Sequence, residues 1–326
     1  METLLEVRGL KTHFATDRGL FRAVDGISFC VPRGRTVGLV GESGCGKSVT
    51  SLSVMGLVPS PPGKVEAEAV MFANRDVLTM SADARRRLRG AAMSMIFQEP
   101  MTSLNPVHTI GQQIVEAILA HTTMSPRSAK ARAVEMLELV RIPSAAQRID
   151  DYPHNLSGGM RQRVMIAMAL CCEPALLIAD EPTTALDVTI QAQILDLLSD
   201  LQRRLGMAIL MITHDLGVIA EVADQVLVMY AGQIVESADV GDLFADPQHP
   251  YTIGLLGSIP RLDVDRARLA TIEGTVPSPN NQPKGCRFAP RCPFADRRCR
   301  QEPPPLRDIA PGHAVACWKA PVEAAS

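Results

Sequence analysis

One eight-residue stretch, residues 41–48, constrains this 326-residue chain more than any other feature. Its sequence, GESGCGKS, fits the phosphate-binding pattern G-x-x-x-x-G-K-[ST] at every fixed position. Glycines let backbone N–H groups approach phosphate oxygens, Lys47 brings positive charge to the β- and γ-phosphates, and Ser48 offers a hydroxyl to Mg²⁺. The pattern predicts a nucleotide site made of Gly41, Glu42, Ser43, Gly44, Cys45, Gly46, Lys47, Ser48 and Val49.

The residues that flank this loop predict the context that the pattern needs. Residues 36–40 are typical of a short buried strand, and residues 48–55 of the helix that follows it. The phosphates would then lie at a helix N-terminus, where the helix dipole and the free N–H groups favour anions. A glycine-rich turn that fits by chance is the competing interpretation, and the strand–loop–helix order argues against it.

Polar side chains follow three further predicted strands. Gln98 follows the strand at residues 93–97, Asp180 and Glu181 end an apolar run, and His214 follows the strand at residues 208–213. Ligands bind at the carboxyl ends of strands in open α/β sheets. The first carboxylate suits Mg²⁺ and the second suits polarising an attacking water, although surface acids and a structural histidine remain the alternative.

A second helix N-terminus opened by glycines follows Pro153. It reads Leu156, Ser157, Gly158, Gly159 and Met160. Ser157 is a natural N-cap for the helix predicted at residues 160–172, so this N-terminus is a second candidate for phosphate binding.

Composition narrows the class of protein. Apolar residues make up 46% and charged residues 21%, and the net charge of −2 gives no sign of a nucleic-acid partner. The longest apolar run, residues 164–178, is interrupted by Glu173 and Pro174, so no membrane-spanning helix is expected. The acidic N-terminus is unlike a signal peptide, which predicts a protein that sits in the cytosol or docks there onto another component.

With these motifs in place, residues 4 to 240 resemble the ATP-binding cassette ATPases, the nucleotide-hydrolysing subunits of ABC transporters. The most specific element is the five-residue stretch at 156–160, which is similar to the signature motif, where the family usually has glutamine in place of Met160. The resemblance implies an α/β fold: a P-loop ABC-type nucleotide-binding domain with a mixed sheet at residues 1–240. It also implies a helical subdomain at about residues 98–160 and a small cysteine-rich C-terminal domain at residues 241–326.

The resemblance also implies a role for each motif. Glu181 would be the catalytic base, assisted by Gln98 and the switch histidine His214. Ser48, Gln98 and Asp180 would hold Mg²⁺. The remaining implied positions are Phe14 as the adenine-stacking ring, Ala185, Leu186 and Asp187 as the D-loop, and residues 156–160 as a signature that contacts ATP bound to a partner cassette.

Three segments narrow the resemblance to the importers of oligopeptides and dipeptides: residues 98–106, residues 249–252 and residues 285–293. This subfamily implies a heterodimer with a second homologous ATPase, two transmembrane permeases and an extracytoplasmic peptide-binding protein. The chain would then sit at the cytoplasmic face of the bacterial inner membrane. The alternatives are the same machine with haem, nickel or glutathione as cargo, and a soluble ABC ATPase without a transport role.

From Asp239 onward proline becomes frequent and the apolar periodicity fades, and four cysteines lie in this part of the chain. Their spacing is C-x5-C-x6-C-x17-C, wider than is usual for a structural zinc site, and it does not decide between zinc and an iron–sulfur cluster. The resemblance favours a [4Fe-4S] cluster, with Zn²⁺ as the alternative and unliganded thiols as the third possibility. The predicted ligands are Cys286, Cys292, Cys299 and Cys317.

Overall fold

The computed structural model describes residues 2–17, 19–98, 103–184, 186–258, 272–278 and 282–322. In chain order the described elements are β1 (Thr3–Thr16), β2 (Gly19–Pro32), β3 (Thr36–Val40), α1 (Lys47–Val54), β4 (Gly63–Glu66), β5 (Ala69–Phe72), β6 (Arg75–Asp76), α2 (Ala82–Leu88), β7 (Met93–Ile96), α3 (Ile110–His121), α4 (Pro126–Leu139), α5 (Ala145–Arg148), a 3₁₀ turn (Pro153–Asn155), α6 (Gly158–Leu170), β8 (Leu176–Asp180), α7 (Val188–Leu205), β9 (Ala208–Thr213), α8 (Leu216–Val222), β10 (Gln225–Tyr230), β11 (Gln233–Asp239), α9 (Val240–Ala245), α10 (Pro250–Gly257), α11 (Arg297–Gln301), β12 (Arg307–Ala310) and β13 (His313–Val315).

The chain divides into two compact units. The first contains Thr79–Met211 with Val31–Arg35 and the N-terminal residues through Leu4, and the second contains Leu5–Cys30, Thr36–Leu78 and the described residues from Ile212 onward. The domain boundary predicted at residue 240 and the helical subdomain predicted at residues 98–160 stay predictions.

The first unit is mainly helical around a short parallel sheet. Strands β7 and β8 pair in parallel, from Met93 opposite Leu176 to Ile96 opposite Ala179, and all residues of both strands are buried. Helix α3 begins with a capping box, in which Thr109 and Gln112 satisfy each other's backbone N–H groups. This local signal determines where α3 begins.

The second unit contains an antiparallel sheet and a mixed sheet. Strands β2, β1, β5 and β6 follow one another in the first, with β4 also paired to β1. In the second the order is β12-β13-β11-β10-β3, where β3 and β10 are parallel and β10 and β11 are antiparallel. The predicted α/β class and mixed sheet are therefore confirmed.

The C-terminal region is more regular than its sequence indicates. Strand β13 pairs with β11, with Val315 opposite Glu236, and so extends the mixed sheet of the second unit. The elements after residue 239 are three to eight residues long. An element this short completes too few turns or alternations to leave a periodic apolar pattern. Across the part of the chain that the structure describes, no helix has both the length and the apolarity needed to span a bilayer.

Candidate active site

The phosphate-binding loop is the turn between β3 and α1. A side chain at Gly41 would bring its Cβ within 2.1 Å of the Met229 carbonyl oxygen, so only glycine fits there. Gly46 precedes α1 with a φ of 110°, a left-handed conformation that favours glycine. Lys47 Nζ donates hydrogen bonds to the carbonyl oxygens of Gly41 at 2.8 Å and Glu42 at 3.1 Å. The loop therefore folds around its own ammonium group, with Ser43 and Gly44 exposed at its tip.

Contacts within the second unit hold this loop in place. The Gly232 N–H donates to the Cys45 carbonyl at 2.8 Å, and the Glu42 N–H donates to the hydroxyl of buried Tyr251 at 2.9 Å. Burial raises the pKa of the Cys45 thiol, which keeps it neutral at neutral pH. Cys45 thus offers its backbone to the loop while its side chain packs inward.

The predicted adenine-stacking residue, Phe14, lies near the end of β1. It is half-buried and meets the ring of Phe21 edge-to-face, with 6.1 Å between centroids. Stacking on adenine by Phe14 stays a prediction.

In the first unit, two of the predicted catalytic side chains meet. Glu181 follows the last residue of β8, Asp180, and both are buried. Gln98 Nε2 donates to Glu181 Oε2 at 3.0 Å, and Thr184 Oγ1 donates to the same oxygen at 2.8 Å. The backbone of Glu181 has a φ of 49°, which is a strained conformation for any residue other than glycine. Strained backbone of this kind is typical of functional sites.

Thr184 was missed by the sequence reasoning. Its hydroxyl lies three residues after the carboxylate that it contacts, a spacing that also occurs in ordinary turns and therefore carries little signal. The structure gives Thr184 the role of a second donor that fixes the Glu181 carboxylate.

The signature-like stretch and the D-loop lie against each other in the first unit. Ser157 caps α6 by accepting the Met160 N–H at 3.3 Å, and Ser157 and Gly158 are exposed while Leu156 is buried. A Cβ at Gly159 would lie 2.9 Å from Ile190 Cγ2, which leaves no room for a side chain.

The D-loop side of this contact is only partly described. Leu186 Cδ2 lies 3.9 Å from the position of a Cβ at Gly158, and Asp187 caps α7 by accepting the Ile190 N–H at 2.9 Å. Ala185 lies outside the described residues. Gln162 on α6 also donates to the carbonyl of Pro182 at 2.5 Å, so the signature helix is tied to the residues that follow Glu181.

The predicted switch histidine, His214, is exposed directly after β9. The next residue, Asp215, caps α8 by accepting the Gly217 N–H at 2.8 Å, and its own N–H donates to Thr213 Oγ1 at 3.0 Å. These bonds fix the backbone on the C-terminal side of His214.

Comparison with known proteins agrees with these motifs. The model of the ABC transporter family matches residues 24–184, and that of the oligopeptide/dipeptide transporter C-terminal region matches residues 235–299. The chain is 55% identical to the oligopeptide transport ATP-binding protein AppD of Bacillus subtilis, over 98% of this chain and 97% of AppD. The chain belongs to the ABC transporter ATPases. The family predicted from the motifs is therefore confirmed.

Two further matches support this membership. The dipeptide transport ATP-binding protein DppD of Escherichia coli is 52% identical, over 96% of each chain. Among solved structures, cbiO1 from Clostridium perfringens, part of the ABC transporter complex cbiONQ, has a TM-score of 0.64 and 26% identity, and the match covers 76% of this chain and 92% of cbiO1.

The four C-terminal cysteines of this ABC ATPase line one cavity, together with Phe288 and Trp318. Burial raises the pKa of Cys286 to about 11 and also raises the pKa values of Cys292 and Cys317. Within the described residues, no group of three or more histidine, cysteine or acidic side chains is arranged to hold a metal ion. The four predicted metal ligands therefore share one cavity, and their binding of a metal stays a prediction.

Proposed function

We propose that this chain hydrolyses ATP to power the import of dipeptides or oligopeptides across the cytoplasmic membrane of a bacterium. The observation that carries the proposal is the similarity to peptide transport ATP-binding proteins along nearly the whole chain, at 52–55% identity. The match to the oligopeptide/dipeptide C-terminal region favours peptide cargo over haem, nickel or glutathione, and a transport role over a soluble one.

Within a proposed ATPase domain at residues 1–240, the phosphate loop binds the triphosphate of ATP. Lys47 contacts the β- and γ-phosphates, the backbone N–H groups of the loop contact phosphate oxygens, and Phe14 stacks on adenine. Ser48, Gln98 and Asp180 are the residues that would hold Mg²⁺, which neutralises phosphate charge when bound.

Glu181 acts as the general base that orients and polarises the attacking water, with His214 as a second polar contact to the reacting phosphate. The hydrogen bonds from Gln98 and Thr184 to Glu181 Oε2 support this role, since they hold the carboxylate in one orientation. A fixed base avoids the reorganisation that a mobile side chain would need in the transition state.

The exposed N-terminus of α6 supports the proposal that a partner cassette binds this chain. Ser157 and Gly158 are exposed, and Gly159 packs on Ile190 at the start of α7. An exposed helix N-terminus can bind the γ-phosphate held by a neighbouring subunit. We propose a heterodimer with a second, homologous ATPase in which the signature stretch of each chain contacts the ATP of the other.

An apolar groove in the first unit supports the proposal that this chain binds a membrane protein. We call it the Phe97 groove; its lining includes Met95, Phe97, Ala117, Met165 and Met168. Phe97 is 44% exposed and directly precedes Gln98. Methionine-rich, partly exposed apolar surfaces are typical of docking sites. We propose that a cytoplasmic segment of one of two permeases binds here, which places the chain at the cytoplasmic face of the membrane, and that an extracytoplasmic protein delivers the peptide.

For residues 241–326 we propose a C-terminal domain in which Cys286, Cys292, Cys299 and Cys317 hold a [4Fe-4S] cluster, with Zn²⁺ as the alternative. The support is a set of four thiols around one cavity, a donor set that suits either metal. Iron, acid-labile sulfide and zinc should be measured on anaerobically purified protein and on Cys292→Ser. About four irons and four sulfides per chain favour the cluster, one zinc without sulfide favours zinc, and neither metal contradicts both.

The transport function is tested by reconstituting the chain with its permeases and the second ATPase in vesicles. We expect Glu181→Gln to bind ATP and to lose nearly all turnover and peptide uptake. Turnover near that of the wild type would contradict the assignment of the base. Uptake of labelled dipeptides that competes with tripeptides, but not with haem, nickel or glutathione, supports peptide cargo, and the opposite pattern contradicts it.

A further inference from the structure

We propose that residues 286–292 position the phosphate loop for ATP, acting mainly through an ion pair between Arg291 and Glu42. We call these residues the 286–292 segment. This inference rests on the proposed nucleotide site at residues 41–48. It assigns Arg291 and Tyr251 as positioning residues, because both act on the loop through Glu42.

The Arg291 side chain is built to hold one orientation. Its Nη1 donates to both carboxylate oxygens of Glu42, each at 3.0 Å, although the two residues are 249 positions apart. Nε donates to the carbonyl of Glu273 at 3.0 Å, and Nη2 to the carbonyl of Ile272 at 3.1 Å. Only 5% of the Arg291 side chain is exposed. Because each part of the guanidinium has an acceptor, its position is fixed before any ligand binds.

Aromatic residues complete the setting of this pair. The Arg291 guanidinium lies 5.8 Å from the ring centroid of Tyr230 and 6.0 Å from that of Phe288. Tyr251 packs on both rings, at 4.6 and 5.5 Å between centroids, and its hydroxyl accepts the Glu42 N–H at 2.9 Å. The backbone and the side chain of Glu42 are therefore both held from the C-terminal part of the chain.

The ion pair between Arg291 and Glu42 reduces the electrostatic repulsion between the loop and a bound triphosphate. Glu42 places a negative charge beside a site that must bind a polyanionic triphosphate. Like charges a few ångströms apart repel, and the repulsion grows with the number of charges on the ligand. Arg291 neutralises this carboxylate and holds it in place. Removing Arg291 would leave the Glu42 charge uncompensated and its side chain free to turn towards the phosphates.

A second arginine of the same segment supports the other end of the loop indirectly, through the turn at residues 231–232. Arg287 Nη1 donates to the carbonyl of Ala231 at 2.5 Å, and Nη2 pairs with Asp25. The adjacent Gly232 N–H donates to the Cys45 carbonyl at 2.8 Å. The 286–292 segment thus supports the phosphate loop directly at Glu42 and, through the turn at residues 231–232, at Cys45.

The test measures the binding of fluorescent ATP and ADP, with Mg²⁺, to the full chain. We expect Arg291→Gln to weaken ATP binding about tenfold, in line with the loss of one charge-assisted pair, and to weaken ADP binding less. The loss of ATP affinity should shrink at high salt. Arg298→Gln is the matched control, because Arg298 is an exposed arginine of the same region that stacks on Trp318.

A charge effect is separated from a packing effect by repeating the substitution in a Glu42→Gln background. With no carboxylate to neutralise, Arg291→Gln should then change the Kd for ATP less than twofold. An equal loss in both backgrounds, or no loss in either, overturns the proposal. In the assembled transporter the substitution should raise the KM for ATP and leave kcat within twofold, whereas a fall in kcat alone also overturns it.

Folding and the underlying site are controlled separately. If Arg291→Gln lowers the melting temperature strongly, Tyr251→Phe gives an independent test, since it removes only the hydroxyl that accepts the Glu42 N–H. ATP binding to Tyr251→Phe that equals the wild type overturns the assignment of Tyr251. Lys47→Ala must abolish binding in the same assay. If it does not, the proposed nucleotide site fails, a result distinct from failure of the role of Arg291.

Discussion

Replacing Glu236 with glutamine is expected to weaken the attachment of the C-terminal strand in the second unit. Glu236 lies on β11 and is fully buried. Its Oε1 accepts the Gln248 N–H at 2.7 Å and contacts His313 Nε2 at 2.8 Å, and its Oε2 accepts the His249 N–H at 2.9 Å. One carboxylate therefore joins β11 to the residues before α10 and to β13.

The size of the effect follows from these three contacts. Glutamine keeps the shape of the side chain and can place its carbonyl at the Oε1 position, which retains two hydrogen bonds without the help of a charge. Its amide group then faces the His249 N–H, so that two donors meet. Losing charge assistance and leaving one buried N–H unsatisfied together cost about 2–5 kcal/mol. This is a large part of the roughly 5–15 kcal/mol that stabilises a typical domain.

Urea unfolding followed by circular dichroism measures this change, and limited proteolysis shows whether the C-terminal residues become accessible first. Glu302→Gln is the control, because Glu302 is an exposed carboxylate paired only at the surface, with Arg298. A Glu236→Gln protein within 0.5 kcal/mol of the wild type, with unchanged proteolysis, would show that these hydrogen bonds do not hold the segment.

Three further predictions concern other parts of the molecule. Thr184→Val should lower turnover about tenfold with little change in ATP binding, whereas Thr184→Ser should keep most of the turnover in the same ATPase assay. Phe97→Ser should reduce co-purification with the permeases while ATP binding persists, and unchanged co-purification would exclude the Phe97 groove as the docking site. Burial lowers the pKa of His249 to about 3, so this histidine is neutral when folded but protonates below about pH 6.5 when unfolded. The free energy of unfolding should therefore fall as pH drops from 6.5 towards 3, and His249→Asn should remove about 2 kcal/mol of that loss between pH 7 and 5 in urea titrations.

The parts of the fold that could be predicted are those determined by neighbouring residues. Strand β3 agrees with the prediction to the residue because an apolar run lies within its own sequence. Ser157 was predicted as an N-cap for the same reason, and it accepts the Met160 N–H. The motifs of the candidate site are equally local, since each combines a strand end or helix start with one or two polar side chains.

The contacts that support those motifs could not be predicted, because they join distant parts of the chain. Gln98 meets Glu181 across 83 residues, and Arg291 meets Glu42 across 249. The four C-terminal cysteines also show what the sequence cannot predict. Their clustering in sequence predicted a shared location, and they share a cavity, but spacing contains no information on whether burial leaves them as thiols or allows a metal to displace the protons.

Several side chains of the C-terminal region contact the phosphate loop or the turn beside it. In sequence this region has the composition of an appendage, rich in proline and without clear periodicity. In the second unit, however, Tyr251, Arg287 and Arg291 bind the phosphate loop or the turn beside it, and Val315 pairs with the strand that follows that turn. An appendage selected only to bind a metal would not need buried, oriented side chains aimed at the nucleotide loop. The geometry therefore favours a C-terminal region that is part of the ATP-binding machinery, whatever the cysteines hold.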